Sequence, residues 1–182
     1  MHLKYNAHIG GGSHLPILIQ IVNMTEGPIL ELGMGLFSTP YLHWVCYGTQ
    51  RKLVSYESKK EFYDLFVFND PREVNNKYGF HDINLVENNN WDAIDFSTEH
   101  WSVVLVDHAP GKRRKEEVKR LANLADYILV HDSDELPKHV AHYKFYEAYP
   151  LFKYRYDYDH VFPRTTVLSN FKDVSKELSC KE

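Results

Sequence analysis

"ILELGMGLFSTP", residues 29–40, decides how the rest of the chain is read. An apolar strand, residues 29–32, runs into Gly33 and Gly35 and then into a helix start at Ser38, Thr39 and Pro40. Glycine lets the backbone turn tightly and approach a ligand closely. Proline suits the first turn of a helix, which places Ser38 or Thr39 as the N-cap. The amides of that turn would point back into the loop, where an anionic group binds well. A dinucleotide-binding loop carries a third glycine. Counted from Gly33 as G-x-G-x-x-G, that position is Ser38, and the bulky Phe37 stands directly before it.

Beyond this loop the chain alternates. "LPILIQIVNMT" is helical and ends at "EGP". After the loop come helical "YLHWVCYG", the strand "KLVSYE", helical "KKEFYDLFVF", a polar stretch and the strand "INLVE". "WSVVLVDH" and "DYILVHD" are buried-type strands on either side of the helix "KRRKEEVKRLANLA", whose charged face reads as solvated. Strands alternating with helices predict a parallel sheet covered on both faces. "LFKYRYDYDHVF" then alternates with period two, with Tyr154, Tyr156 and Tyr158 on one face, and "RTTVLSNF" follows as its antiparallel partner. The expected fold class is α/β: a Rossmann-like three-layer αβα sandwich, with a mostly parallel seven-stranded sheet and an antiparallel edge. Residues 1–182 read as one domain, with an N-terminal flap and helix over 1–27 and a flexible tail over 171–182.

Glu57 ends the second strand about 20 residues past the glycines, where a Rossmann-type site keeps the acid that accepts from ribose hydroxyls. Pyrophosphate needs bare backbone at the third glycine, and Phe37 obstructs it. A ligand with a ribose but no phosphates is less demanding. S-adenosylmethionine is such a ligand. Its carboxylate would lie near the loop amides, with Glu31 serving its ammonium directly or through water.

With these residues in register, "ILELGMGLFST" resembles motif I of the class I S-adenosylmethionine-dependent methyltransferases. "VSYES", "VVLVDH" and "YILVHD" fall where that family has its next motifs, and the likeness in layout spans roughly residues 14 to 170. It implies cofactor contacts at Glu31, Gly33, Gly35, Ser38, Thr39 and Glu57, with Asn90, Trp91 and Asp92 as candidates for the adenine. The plainer alternatives are a simple glycine turn, a helix-capping Glu57 and a core Trp91.

Two adjacent strand ends gather polar groups, Asp107 and His108 on one and His131, Asp132, Ser133 and Asp134 on the other. Open α/β sheets bind ligands at such ends. In one reading Asp107 and His108 are the catalytic pair, positioning the acceptor and removing its proton. In another, Asp107 and Asp132 hold a divalent metal such as Mg2+. "LVDHAPGKR" and "LVHDSD" are similar to the metal-binding strand ends of catechol-type O-methyltransferases, with Ser133 in place of an asparagine and Lys112 as a stand-in for the catalytic lysine. In a third reading Asp132 and Asp134 cap the next helix and His131 is a satisfied buried histidine.

A formal charge of −4 and a pI near 6.2 give no basic field for nucleic acid. The short basic run "GKRRKEEVKR" could meet a phosphorylated substrate or nucleic acid but reads better as a solvated helix face; with no added domain visible for tRNA or DNA, a small-molecule or carbohydrate acceptor is expected. Cys46 and Cys180 have no metal spacing, and no segment has the length of a signal peptide or membrane span; both point to the cytoplasm. "HIGGG" reads as a flexible flap; closed over the cofactor it would bring His8 and the nearby His14 to the site, and a surface position is the reading preferred for both. A binding module without chemistry and an NAD-dependent enzyme are the remaining alternatives.

Overall fold

A computed structural model describes residues 9–67 and 79–179. His8, Cys180 and most of the polar stretch after Val67 lie outside the described residues. The strands are β1 (Ile29–Leu32), β2 (Leu53–Glu57), β3 (His81–Leu85), β4 (Trp101–Val106), β5 (Ala125–Val130), β6 (Tyr154–Tyr158) and β7 (Thr165–Ser169). They form one seven-stranded sheet in the order β3-β2-β1-β4-β5-β7-β6. β1 to β5 pair in parallel, and the reversed strand β7 pairs antiparallel with both β5 and β6.

The helices are α1 (Leu15–Asn23), α2 (Ser38–Thr49), α3 (Lys60–Phe66), α4 (Arg114–Leu121), α5 (Pro137–Tyr143) and α6 (Val174–Ser179). Successive residues of a strand point to opposite faces. Ile29, Val103, Leu105, Leu129 and Val167 therefore meet Ile17, Leu18 and Ile21 of α1 and Leu42 of α2. Leu30, Leu32, Val104, Val106 and Ile128 meet Val118 and Leu121 of α4 and the buried rings Trp91 and Phe145 on the other side. Both faces are covered, so β1 and β4 are apolar without alternation apart from Glu31 and Ser102.

Arg51 ties α1 to β1. Its guanidinium donates to the carbonyls of Val22, Thr25 and Gly27, leaving the turn before β1 with satisfied acceptors. The tail expected to be flexible contains α6. Val174 is buried and Glu177 accepts from the Tyr127 hydroxyl, so a polar sequence is held by two anchors. No described helix is long and apolar enough to cross a membrane.

The chain leaves β1 toward β2 and β3 on one side, and returns to β4 on the other. That reversal opens a crevice at the carboxyl ends of β1 and β4, the usual ligand position in such sheets.

Candidate functional site

The crevice is a cavity of about 680 Å³. Its walls come from the glycine loop at Met34–Ser38, from Glu57 and Lys59 after β2, from the strand ends at Asp107 and His131–Asp132, and from the turn at Gly10–Gly11. A pocket of 300–1,000 Å³ is of the size that holds a small ligand or cofactor.

Gly33 has φ +97°, and a Cβ there would lie 2.5 Å from the His108 amide nitrogen. This glycine is required by the backbone of the neighbouring strand end. Gly35 is different: a Cβ would meet nothing closer than 3.9 Å, and the residue opens on the cavity. Phe37 also lines the cavity. The Ile9–Gly12 turn packs against its ring, and a Cβ on Gly12 would fall 2.9 Å from it. The glycine run that reads as a free flap is thus the surface that accommodates Phe37.

Helix α2 begins at Ser38 with Phe37 at the N-cap position and no side-chain cap. The expected Thr39 cap is redirected. Its hydroxyl donates to Glu31 Oε1 at 2.9 Å and accepts from the Gly35 amide at 2.9 Å. Ser55 donates to Glu31 Oε2 at 2.7 Å. Glu31 is fully buried beneath the loop rather than on the cavity wall, and it braces the loop through Thr39. Burial raises its carboxyl to about 7, against the partial relief of the Ser55, Ser38 and Thr39 hydroxyls.

A raised carboxyl has a definite sign. Between about 4.5 and about 7 the folded state binds more protons than the unfolded state, so stability falls as pH rises through that window and is level above it. The expected loss is about 3 kcal/mol. Glu31→Gln should remove that slope, read as the difference between wild type and variant in urea unfolding at pH 5 and pH 8.

Glu57 lines the cavity from the end of β2. Its Oε2 accepts from the Met34 amide at 2.8 Å and its Oε1 from the Lys59 amide at 2.6 Å. It therefore ties the glycine loop to the turn ahead of α3, whose N-cap residue Lys59 has no side-chain cap. Burial raises its carboxyl, and the two amides counter this.

The strand ends are organised by Arg114, the first residue of α4. It is buried, donates to the carbonyl of Asp107 at 2.8 Å and of His108 at 2.7 Å, and pairs with Asp107 Oδ1 at 2.8 Å and Asp132 Oδ2 at 3.0 Å. The guanidinium thus bridges the two carboxylates expected to share a metal. Tyr143 also donates to Asp132 Oδ2, at 2.8 Å. Burial by itself would raise the Asp107 carboxyl, but the charges of Arg114 and His131 outweigh it and hold it below the usual carboxylate range. Asp132 sits at φ +58°, a left-handed conformation that aspartate tolerates better than most residues.

His108 turns away from the cavity. It is fully buried, stacks on Trp91 at 4.0 Å between centroids, and places Nε2 3.2 Å from buried Glu117 of α4. The strand alternation that points Asp107 at the crevice points His108 beneath the sheet. Trp91 is core as well, its indole N–H donating to the Ala109 carbonyl at 3.2 Å. Asn90 and Asp92 are exposed and outside the cavity wall, Asp92 pairing with Arg113. The expected adenine platform is therefore not assembled from residues 90–92.

Ser133 and Asp134 are also engaged. Ser133 donates to the Arg164 carbonyl, and Asp134 accepts from the Leu136 amide and His139 just before α5. Lys112 is exposed and is not on the cavity wall, whereas Lys59, Lys138 and Phe62 are. His14 is the residue that sequence reasoning put at the surface and the structure puts in the site. It is 2% exposed, on the cavity wall, with its ring 4.8 Å from that of His131. Burial lowers its imidazole to about 4.

Several solved structures share this architecture. A methyltransferase from Pyrococcus furiosus matches with a TM-score of 0.50 at 15% identity, over 94% of this chain and 88% of that one. Sp1610 of Streptococcus pneumoniae, a candidate tRNA (m1A22) methyltransferase, matches with a TM-score of 0.51 at 13% identity, over 87% of this chain and 71% of that one. TrmK of M. capricolum, in complex with S-adenosylhomocysteine, matches with a TM-score of 0.50 at 10% identity, over 84% of this chain and 66% of that one. No protein-family model and no curated protein matches the chain. At these identities the likeness is one of fold: the chain has the Rossmann-like fold that these methyltransferase structures share.

Proposed function

We propose that this chain is an S-adenosylmethionine-dependent methyltransferase. The observation that carries the reading is the cavity at the sheet's reversal, walled on one side by the glycine loop and Glu57 and on the other by Asp107 and His131. A sulfonium cofactor supplies the methyl group, and the chain's task is to hold it in line with an acceptor. Glu57 would accept from the ribose hydroxyls. Gly35 and the first turn of α2 would face the methionine carboxylate. The S-adenosylhomocysteine bound by TrmK, a protein of the same fold, supports this choice of ligand.

Asp107 and His131 would stand on the acceptor side. A methyl acceptor with a hydroxyl or amine must lose a proton, and the Asp107 carboxylate beside His131 is placed to orient that acceptor for the loss. His131 replaces His108 as the partner of Asp107, because His108 does not reach the cavity. The acceptor we favour is a small molecule or carbohydrate. The Gly10–Gly11 turn, Phe162 and Pro163 add to the cavity's wall, and the net charge of −4 offers no field to attract RNA. tRNA methylation, the candidate activity of Sp1610, is the outcome that a methylation assay on bulk tRNA would reveal.

Glu57→Ala tests the cofactor half of the reading. Affinity for S-adenosylhomocysteine should fall about 10- to 100-fold, the loss expected when hydrogen bonds to a charged group disappear. Unchanged affinity in a calorimetric titration would remove Glu57 from the ribose site.

A further inference from the structure

We infer a transition-metal site on the cavity wall, formed by His14, Asp107 and His131. His14 stands just before α1, Asp107 just after β4 and His131 just after β5. One donor atom from each lies within 4.8 Å of the other two, and all three residues line the cavity.

The placement of hydrogens around His131 makes the case. Ser13 Oγ lies 2.7 Å from the Pro163 carbonyl, which only accepts, so the single hydroxyl proton goes there. The same Oγ lies 2.9 Å from His131 Nε2 and must accept from it. Nε2 therefore carries the ring proton, and in the neutral ring Nδ1 presents a lone pair. That lone pair faces Asp107 Oδ1 at 3.2 Å, an acceptor facing an acceptor. Only positive charge between them resolves the contact: a proton on Nδ1, or a metal ion.

His14 separates these two. Both of its ring nitrogens are buried and have no hydrogen-bond partner among the described residues. A proton on His131 leaves His14 orphaned, at the cost that any buried unpaired polar group carries. A metal ion uses all three side chains. The Ser13 contact then becomes the outer hydrogen bond that orients a metal-bound imidazole. Ligands about 2.0–2.2 Å from a common ion sit about 3–4 Å apart, so about an ångström of side-chain rotation completes the set. The charge is favourable too, since Asp107 and Asp132 together face the single cation of Arg114.

Two imidazoles and one carboxylate suit zinc, iron or cobalt rather than magnesium. Three protein ligands leave coordination positions for an oxygen donor in the cavity, where a bound hydroxyl would lose its proton more easily. The metal site stands on its own geometry. Its use on an acceptor rests on the methyl-transfer reading.

The test is titration of the untagged full chain with Co2+, followed by visible absorption, with S-adenosylhomocysteine titrated in parallel by calorimetry. Saturation at one ion per chain, with the bands of a protein-bound cobalt and no displacement by excess Mg2+, is expected. His14→Gln, Asp107→Asn and His131→Gln should each weaken binding by more than about 100-fold. His100→Ala, remote from the site, should leave it unchanged. If a variant does not fold, X-ray absorption of the zinc-loaded wild type still decides by showing two imidazoles or not. Absence of saturable cobalt binding, binding indifferent to these substitutions, or a zinc spectrum without two imidazoles overturns the site. Cobalt binding without S-adenosylhomocysteine binding keeps the site and sinks the methyltransferase reading; the reverse does the opposite.

Discussion

Gly33→Ala is expected to destabilise the fold by about 3–5 kcal/mol, read as a fall in melting temperature of about 10 °C. Two costs add. At φ +97° an alanine is strained wherever it is placed. The new Cβ would also lie 2.5 Å from the His108 nitrogen, 2.6 Å from the Asp107 carbonyl carbon and 2.6 Å from the His108 Cα. All three are backbone atoms of the segment leaving β4, so no side chain can rotate aside. Relief requires β1 and β4 to part, although Asp107 N donates to Leu32 O at 2.7 Å. Gly35→Ala is the matched control, since its Cβ has room, and it should cost less than about 1 kcal/mol. Equal effects at both positions would contradict this account of the loop.

Arg114→Ala is expected to cost a similar 3–5 kcal/mol, for an electrostatic reason. Its guanidinium donates to two strand-end carbonyls and pairs with Asp107 and Asp132, and it is itself buried. Removing it takes the guanidinium from both acids and leaves His131 as their remaining basic neighbour. Burial alone disfavours charge on Asp107, so the carboxyl should rise once Arg114 is gone. Arg114→Lys should recover little, because one ammonium cannot serve four acceptors arranged around a planar fork. Unfolding of both variants by urea checks this, and a loss below about 1 kcal/mol for the alanine variant would contradict it.

Arg114 also shows where the sequence stops being legible. "GKRRKEEVKR" has the composition of a solvated basic face, and only the strand ends beside it make Arg114 and Glu117 interior residues. Asp107 and Asp132 call for the guanidinium, and His108 lies against Glu117. None of these pairs has a local spacing that marks it. The strands were readable because both faces of the sheet are covered, which makes β4 and β5 nearly continuous apolar runs. The tight turn after β1 was readable at Gly33, where a φ of +97° and the backbone of the next strand end demand glycine. His14 was not. Its position depends on α1 packing across β4 and bringing the residue before Leu15 over the end of β5. Trp91 and His108 each looked suited to a ligand, but they stack on each other.

This cavity is expected to take the sulfonium cofactor and not a dinucleotide. Calorimetric titration of the purified chain with S-adenosylmethionine, S-adenosylhomocysteine and NAD tests it most directly. Phe37, packed against Gly11 and Gly12, puts its ring on the cavity wall beside Ser38, the position where a pyrophosphate site keeps its third glycine. Saturable binding of the first two ligands and none of NAD is the predicted result. Binding of NAD, or of none of the three, would contradict the account.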